Sequence, residues 1–140
     1  MSSSTLRIVV AIVIFVHAIG HIQGLVPAFG LFSTDTWHIH SWLLTDRIGE
    51  SATRIIAIAI FAVCFLGFLG TGLAFLNILL PHAWWRPLAI VFAVPSLLGV
   101  ILFWNGFAML FNKVGAIAID SVILIGLLAL KWPSEAELGL

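Results

Sequence analysis

The sequence predicts an all-α, polytopic membrane protein, a four-helix bundle made by four crossings of the bilayer. Three observations predict it. Of the 140 residues, 62% are hydrophobic and only 9% charged, and the mean hydropathy is +1.22. A soluble domain carries about a quarter charged residues, so this chain has too few charges to coat a water-exposed globule. The apolar residues gather into four stretches, each close to or above the roughly 20 residues needed to cross a hydrocarbon core of about 30 Å. The tryptophans gather near the ends of those stretches, where their amphipathic rings favour the membrane interfaces.

The first span is predicted at about residues 6–28, ending near Pro27 and Gly30. Arg7, the apolar run Ile8 to Val16 and Val16-His17-Ala18 have the form of a secretory signal with a cleavage site. The apolar character continues to Phe32, however, so the segment reads as a retained helix. The second span is predicted at about 52–80, stopped by Pro81, and is long enough to tilt. The third, at about 87–111, opens on Pro87, which suits a first helical turn. Pro95 inside it predicts a kink, with Ser96 placed to compensate the lost backbone bond. The fourth, at about 114–132, is closed by Pro133. The four spans make one transmembrane domain, residues 1–140, with no room for a separate soluble one.

Four crossings place Trp84, Trp85 and Trp132 at one interface and Trp37 and Trp42 at the other. The long first loop is expected to carry a short interfacial helix, because Ser33-Thr34-Asp35 offers N-cap chemistry ahead of Trp37, Ile39, Leu43 and Leu44. Asn112-Lys113 is expected to be a tight hairpin between the third and fourth spans. Gly20 and Gly24 form a GxxxG pair, and Gly67, Gly70 and Gly72 cluster in the second span. Close helix packing is the reading of both groups. Arg7, Arg86 and Lys131 lie towards the termini and Arg47, Arg54 and Lys113 opposite, so the positive-inside comparison is tied. Asp35, Asp46 and Glu50 in the first loop, with one basic residue, Arg7, near the start of the first helix, lean the reading towards cytoplasmic termini.

Composition also limits function. Six basic and six acidic residues balance, with no run of either sign, so no basic stripe exists for nucleic acid and no polybasic patch for lipid headgroups. Cys64 is the single cysteine, which excludes an internal disulfide and paired-cysteine redox chemistry. No serine has a context that suggests activation, and Cys64 has no charged sequence neighbour to lower its pKa. Nucleophilic catalysis is therefore unsupported, and the reading leans away from an enzyme. His82, in an interfacial loop, is assigned no role. The partners expected are the lipid bilayer and other membrane subunits or further copies of the chain.

The informative residues are polar ones at bilayer depth, where an ionisable group costs several kcal/mol and normally faces the protein interior with a partner. His17 lies near the middle of the first span, His21 one turn further on the same face, and Asp120 near the middle of the fourth. Span directions put His21, Gln23, Trp104, Asn105 and Asp120 in the same half of the membrane, below His38, His40 and Arg54. Three readings compete. His17, His21 and Asp120 can be interhelical hydrogen-bond pins. They can be two histidines and a carboxylate holding a metal, with His38 and His40 as secondary ligand candidates. His17-Ala-Ile-Gly-His21 lacks the glutamate of the HExxH hydrolases, which argues against metalloprotease chemistry. Or His17, His21, Trp104, Asn105 and Asp120 can bind a quinone, haem or lipid-like ligand, histidine bonding a carbonyl and Trp104 stacking on a flat ring. A bis-histidine haem would need His38 or His40 to fold inward. Proton conduction through His17 and Asp120 is a variant of this class.

The first helix, with Arg7 followed by His17-Ala-Ile-Gly-His21-Ile-Gln-Gly24, resembles the opening of small uncharacterised bacterial four-span proteins loosely grouped with DoxX-like membrane proteins. The stretch from Trp104-Asn105-Gly106 to Lys113-Val-Gly115 is similar to their third and fourth spans. The chain departs from them at Ala18, where glycine is commoner after the histidine, and in its long histidine-bearing loop. The resemblance implies a bacterial inner-membrane protein with a redox-linked or accessory role, and carries over no catalytic residue. The function expected first is an accessory or structural subunit of a larger respiratory or photosynthetic membrane complex. The second is a redox protein binding quinone, haem or metal, and the third an oligomeric transporter of small solutes or protons.

Overall fold

A computed structural model describes residues 2–139. Four of its helical segments are long and apolar enough to cross a membrane: Ser3–Ala28, Glu50–Phe75, His82–Leu102 and Leu110–Leu130. The all-α, four-span reading of the sequence holds.

Helix α1 (Ser3–Gly20) starts on an N-cap from Ser2, whose hydroxyl accepts from the Thr5 amide. A turn at His21 breaks the ladder, and α2 (Ile22–Ala28) completes the crossing. It ends on a Schellman closure: Gly30 takes φ +70°, the Gly30 amide reaches Pro27 O and the Leu31 amide reaches Val26 O. Pro27 has no amide hydrogen, so the Gln23 carbonyl loses its helical donor. The Trp37 indole supplies one at 3.1 Å and also donates to Gly106 O at 3.0 Å.

The first loop differs from expectation. Ser33-Thr34-Asp35 caps no helix. Thr34 and Trp37 instead close a turn through their own backbone groups, and the Thr34 hydroxyl accepts from the Trp37 amide. The short helix comes later, as α3 (Thr45–Ile48). Helix α4 (Glu50–Phe75) stops five residues before the predicted end at Leu80, again in a Schellman closure. Here Asn77, a residue that tolerates the left-handed region, takes φ 56°. The Ile78 amide bonds Leu73 O and the Asn77 amide bonds Ala74 O. Leu79 is also left-handed, so the chain cannot continue the helix to Pro81.

A 3-10 turn at His82–Trp84 leads into α5 (Trp85–Leu102), with Pro87 in its first turn and Pro95 inside it. The connection to the last span corrects the predicted hairpin at Asn112-Lys113. Helix α5 ends at Leu102, Trp104–Gly106 forms a 3-10 turn, and α6 (Leu110–Leu124) has already begun before Asn112. The first loop makes this early break tolerable. Trp37 and the His38 amide bond the Gly106 and Asn105 carbonyls, and the Trp42 indole donates to Ile101 O at the end of α5. Helix α6 runs on through a π-helical stretch to Leu130, and α7 (Glu135–Leu138) follows. Leu138 is fully buried with Leu6, Phe75, Trp85 and Leu127.

Each span packs on the next, α4 most extensively on α5, so the order around the bundle is α1, α4, α5, α6. The α1–α4 seam is closed by glycines under aromatic rings. A Cβ on Gly24 would collide with the Phe61 ring and one on Gly72 would sit 2.7 Å from Phe15. At the α4–α5 seam, Gly67 lies likewise under Phe92. The closing seam, α1 against α6, is the thinnest. There Gly20 and Gly115 meet nothing within 4 Å. The GxxxG reading therefore applies to Gly24 and not to Gly20.

Candidate functional site

The polar residues predicted at bilayer depth meet where α1, α5 and α6 converge. Asp120 is 0% exposed and its two oxygens are separately occupied. His17 Nε2 lies 2.8 Å from Oδ1, and the Ser96 hydroxyl donates to Oδ2 at 2.6 Å. Ser96 Oγ is also 3.3 Å from His21 Nε2 and 3.4 Å from His17 Nε2. One serine thus connects the carboxylate of α6 to both histidines of the first span. Phe68 of α4 forms the apolar floor, stacked on His21 with centroids 5.7 Å apart and edge-on to His17 at 4.5 Å.

The i, i+4 spacing places both imidazoles on the inward face of α1. The carboxylate faces inward because lipid offers it no hydrogen-bond donor. His21 Nδ1 is different: it is buried and has no hydrogen-bond partner. In a bilayer that is costly, since a buried polar atom without a partner forfeits its hydration and gains nothing in exchange.

Beside this network, the thin α1–α6 seam opens into a cleft of about 420 Å³ bordered by His17, Gly20, His21, Gln23, Asn112 and Gly115. The remaining wall is apolar, and Val16, Ile19 and Phe111 at its rim are exposed. At the loop end the cleft is bridged by Asn112, whose amide donates to Gln23 Oε1 at 2.7 Å. Its size lies within the range of small-molecule pockets.

The structure thus brings together His17, His21 and Asp120. It does not add Trp104 and Asn105 to them. Those two border a separate shallow pocket with His40, Trp42 and Ile101, and the Lys113 ammonium lies 5.2 Å over the Trp104 ring. His38 and His40 face each other outside the bundle, ring centroids 6.2 Å apart, and do not fold inward. Among the described residues no three His, Cys, Asp or Glu side chains form a group that could hold a metal ion.

Ser96 is the member that sequence reasoning misplaced. Its position after Pro95 suggested a backbone role, whereas its hydroxyl bonds Asp120. The signal was present, because Ser96 is the only hydroxyl-bearing residue of the third span. Asn112 was placed in a turn and is instead in the first turns of α6. His82 has a structural role at the opposite end: Nδ1 contacts Phe75 O at 2.9 Å and Nε2 contacts Glu135 at 3.1 Å. Arg86 holds the same carboxylate at 3.1 Å and donates to Pro133 O, tethering the C-terminal segment.

No known family model matches the chain, and no curated protein or solved structure matches it.

Proposed function

We propose that this four-span membrane protein binds a small, lipid-soluble molecule with a flat polar headgroup, of the quinone class, in the cleft between its first and last spans. The observation that carries this reading is the junction of a fully buried His17–Asp120–Ser96–His21 network with a laterally open, mostly apolar cleft. Structural pins need only satisfy one another, as Gln23 and Asn112 do. This network leaves a buried ring nitrogen of His21, a residue that borders the cleft, without a partner. Entry from the bilayer suits a ligand with an apolar tail, because the exposed rim residues are themselves apolar.

The test is a titration of detergent-solubilised protein with a short-chain quinone, followed by quenching of tryptophan fluorescence. Saturable binding should weaken at least about tenfold in His17→Ala and Asp120→Asn while helical circular dichroism persists. Unsaturable quenching, or equal affinity in the variants, sinks the reading.

A second reading, an accessory subunit of a larger membrane complex, is favoured by Gly20 and Gly115. Both are uncovered, and small residues admit a close helix backbone. Native mass spectrometry from mild detergent separates the two: a bound chain supports the subunit, a bound lipid-sized mass the ligand. We place the protein in a bacterial inner membrane with cytoplasmic termini. Arg7, near the start of the first helix, supports this orientation, and alkaline phosphatase fused after Leu140 should be inactive.

A further inference from the structure

We infer that His82 is a proton-dependent latch for the C-terminal segment: as an imidazolium it holds α7 against the end of the bundle, and loss of the proton loosens it. Both ring nitrogens of His82 face atoms that accept hydrogen bonds. Nδ1 lies 2.9 Å from the carbonyl oxygen of Phe75, and Nε2 lies 3.1 Å from a carboxylate oxygen of Glu135. A neutral imidazole has one hydrogen and one lone pair, so it satisfies one of these contacts and turns its lone pair on the other. The imidazolium, with a hydrogen on each nitrogen, satisfies both. Its charge is favoured from two sides. Phe75 is the last residue of α4, where the terminal carbonyls lack helical donors and carry the negative end of the helix dipole. Glu135, in the first turn of α7, supplies a full negative charge.

The surrounding groups fix the sign of the response. Glu135 also meets Arg86, whose Nε donates to its other oxygen at 3.1 Å. From α4 and α5 the latch is met by the rings of Phe75 and Trp85. The Asn77 side chain accepts from the His82 amide, and Glu137 is taken up by Ser134. Arginine keeps its charge at every relevant pH, whereas histidine is the side chain that changes charge near neutrality. As pH rises through that range, one of the two contacts becomes lone pair against lone pair, and the charge that attracted Glu135 is gone. Arg86 alone then holds the carboxylate. Docking of α7 therefore weakens with rising pH, and Leu138, buried with Leu6, Phe75, Trp85 and Leu127, is loosened from its seat.

The test follows the Leu138 amide, which donates to Ser134 O at 3.1 Å. Its hydrogen exchange is measured in the full-length protein in detergent micelles, each rate divided by the intrinsic rate at that pH. Protection should fall about three- to fivefold between about pH 6 and about pH 8.5, the size expected of an ion pair whose carboxylate is half exposed. In His82→Gln and in Glu135→Gln, protection should already be low and should stay constant over that interval. Spectra of ¹⁵N-histidine-labelled wild-type protein need no variant to fold. They should show both His82 ring nitrogens protonated at the lower pH and one at the higher, with a midpoint matching the exchange step. Constant protection in the wild type, a step that persists in His82→Gln, or a singly protonated His82 while Leu138 is still fully protected overturns the inference.

Discussion

The two seams of the first span solve the same problem in opposite ways. Against α4, glycine meets aromatic ring: Gly24 lies under Phe61 and Gly72 under Phe15, and Phe61 is fully buried. Against α6, the contact is sparse and carries two polar bridges, His17–Asp120 at 2.8 Å and Gln23–Asn112 at 2.7 Å, with the cleft and the uncovered Gly20 between them. In lipid, helices gain little by hiding apolar surface, since the tails outside are equally apolar. Association then depends on shape fit or on hydrogen bonds. The first seam uses fit and closes. The second uses hydrogen bonds and leaves a space, which is the economical arrangement if something else is to enter.

Two glycine substitutions, one helical turn apart, should have opposite effects at the two seams. Gly24→Leu forces the buried Phe61 ring aside and should lower stability by about 3 kcal/mol, measured as a shift in the dodecyl sulfate unfolding midpoint in mixed micelles. Gly20→Leu should stay within about 0.5 kcal/mol of the parent yet abolish ligand binding by filling the cleft. If both destabilise alike, the seams do not differ as described.

The polar bridges should differ in size. Asp120→Ala leaves His17 and Ser96 without their acceptor and should cost about 1–2 kcal/mol in the same assay. Asn112→Ala removes one neutral hydrogen bond and should cost about 0.5 kcal/mol. A larger loss for Asn112 than for Asp120 would move the anchor of the seam to its loop end.

The smallest effect lies at the far end of α1, where α7 docks without touching the cleft. Ser134 and Glu137 form a capping box, and the bonds from the Ser134 backbone and side chain hold the Glu137 carboxyl below the ordinary glutamate range. A depressed folded value means that the stabilisation is complete above the unfolded value and is lost as pH falls through the folded one. Acidification should therefore fray α7, seen as faster amide exchange at residues 135–138, with ligand affinity unaffected by that fraying. Ser134→Ala should show the faster exchange already at neutral pH.

Much of this protein is legible as composition and position. Apolar length identifies four crossings, and the rule that ionisable groups at depth must be partnered singles out His17, His21 and Asp120. The tryptophans also sort to the two ends as expected, with Trp37 and Trp42 donating into helix ends on the loop side. The misread boundaries have one cause in common. Asn77 ends α4 by entering the left-handed region, and the break at Phe103–Met109 is stabilised by Trp37 and His38 from a distant loop. Hydropathy is blind to both, because leucine, isoleucine and phenylalanine continue across these turns.

Residue type and position along the chain identify the bilayer as the solvent of this protein, the number of its crossings and the ionisable residues that need a partner at depth, because the free energy of placing each residue in hydrocarbon depends mainly on the residue. The packing of the helices is what joins Ser96 to Asp120 and both histidines, sets Trp104 and Asn105 apart, and turns Gly20 towards a cleft and Gly24 towards a ring. Those outcomes depend on which helix faces lie opposite one another. In a bilayer that choice is made by packing and hydrogen-bond geometry between spans, and residues of identical type one turn apart are treated differently by it.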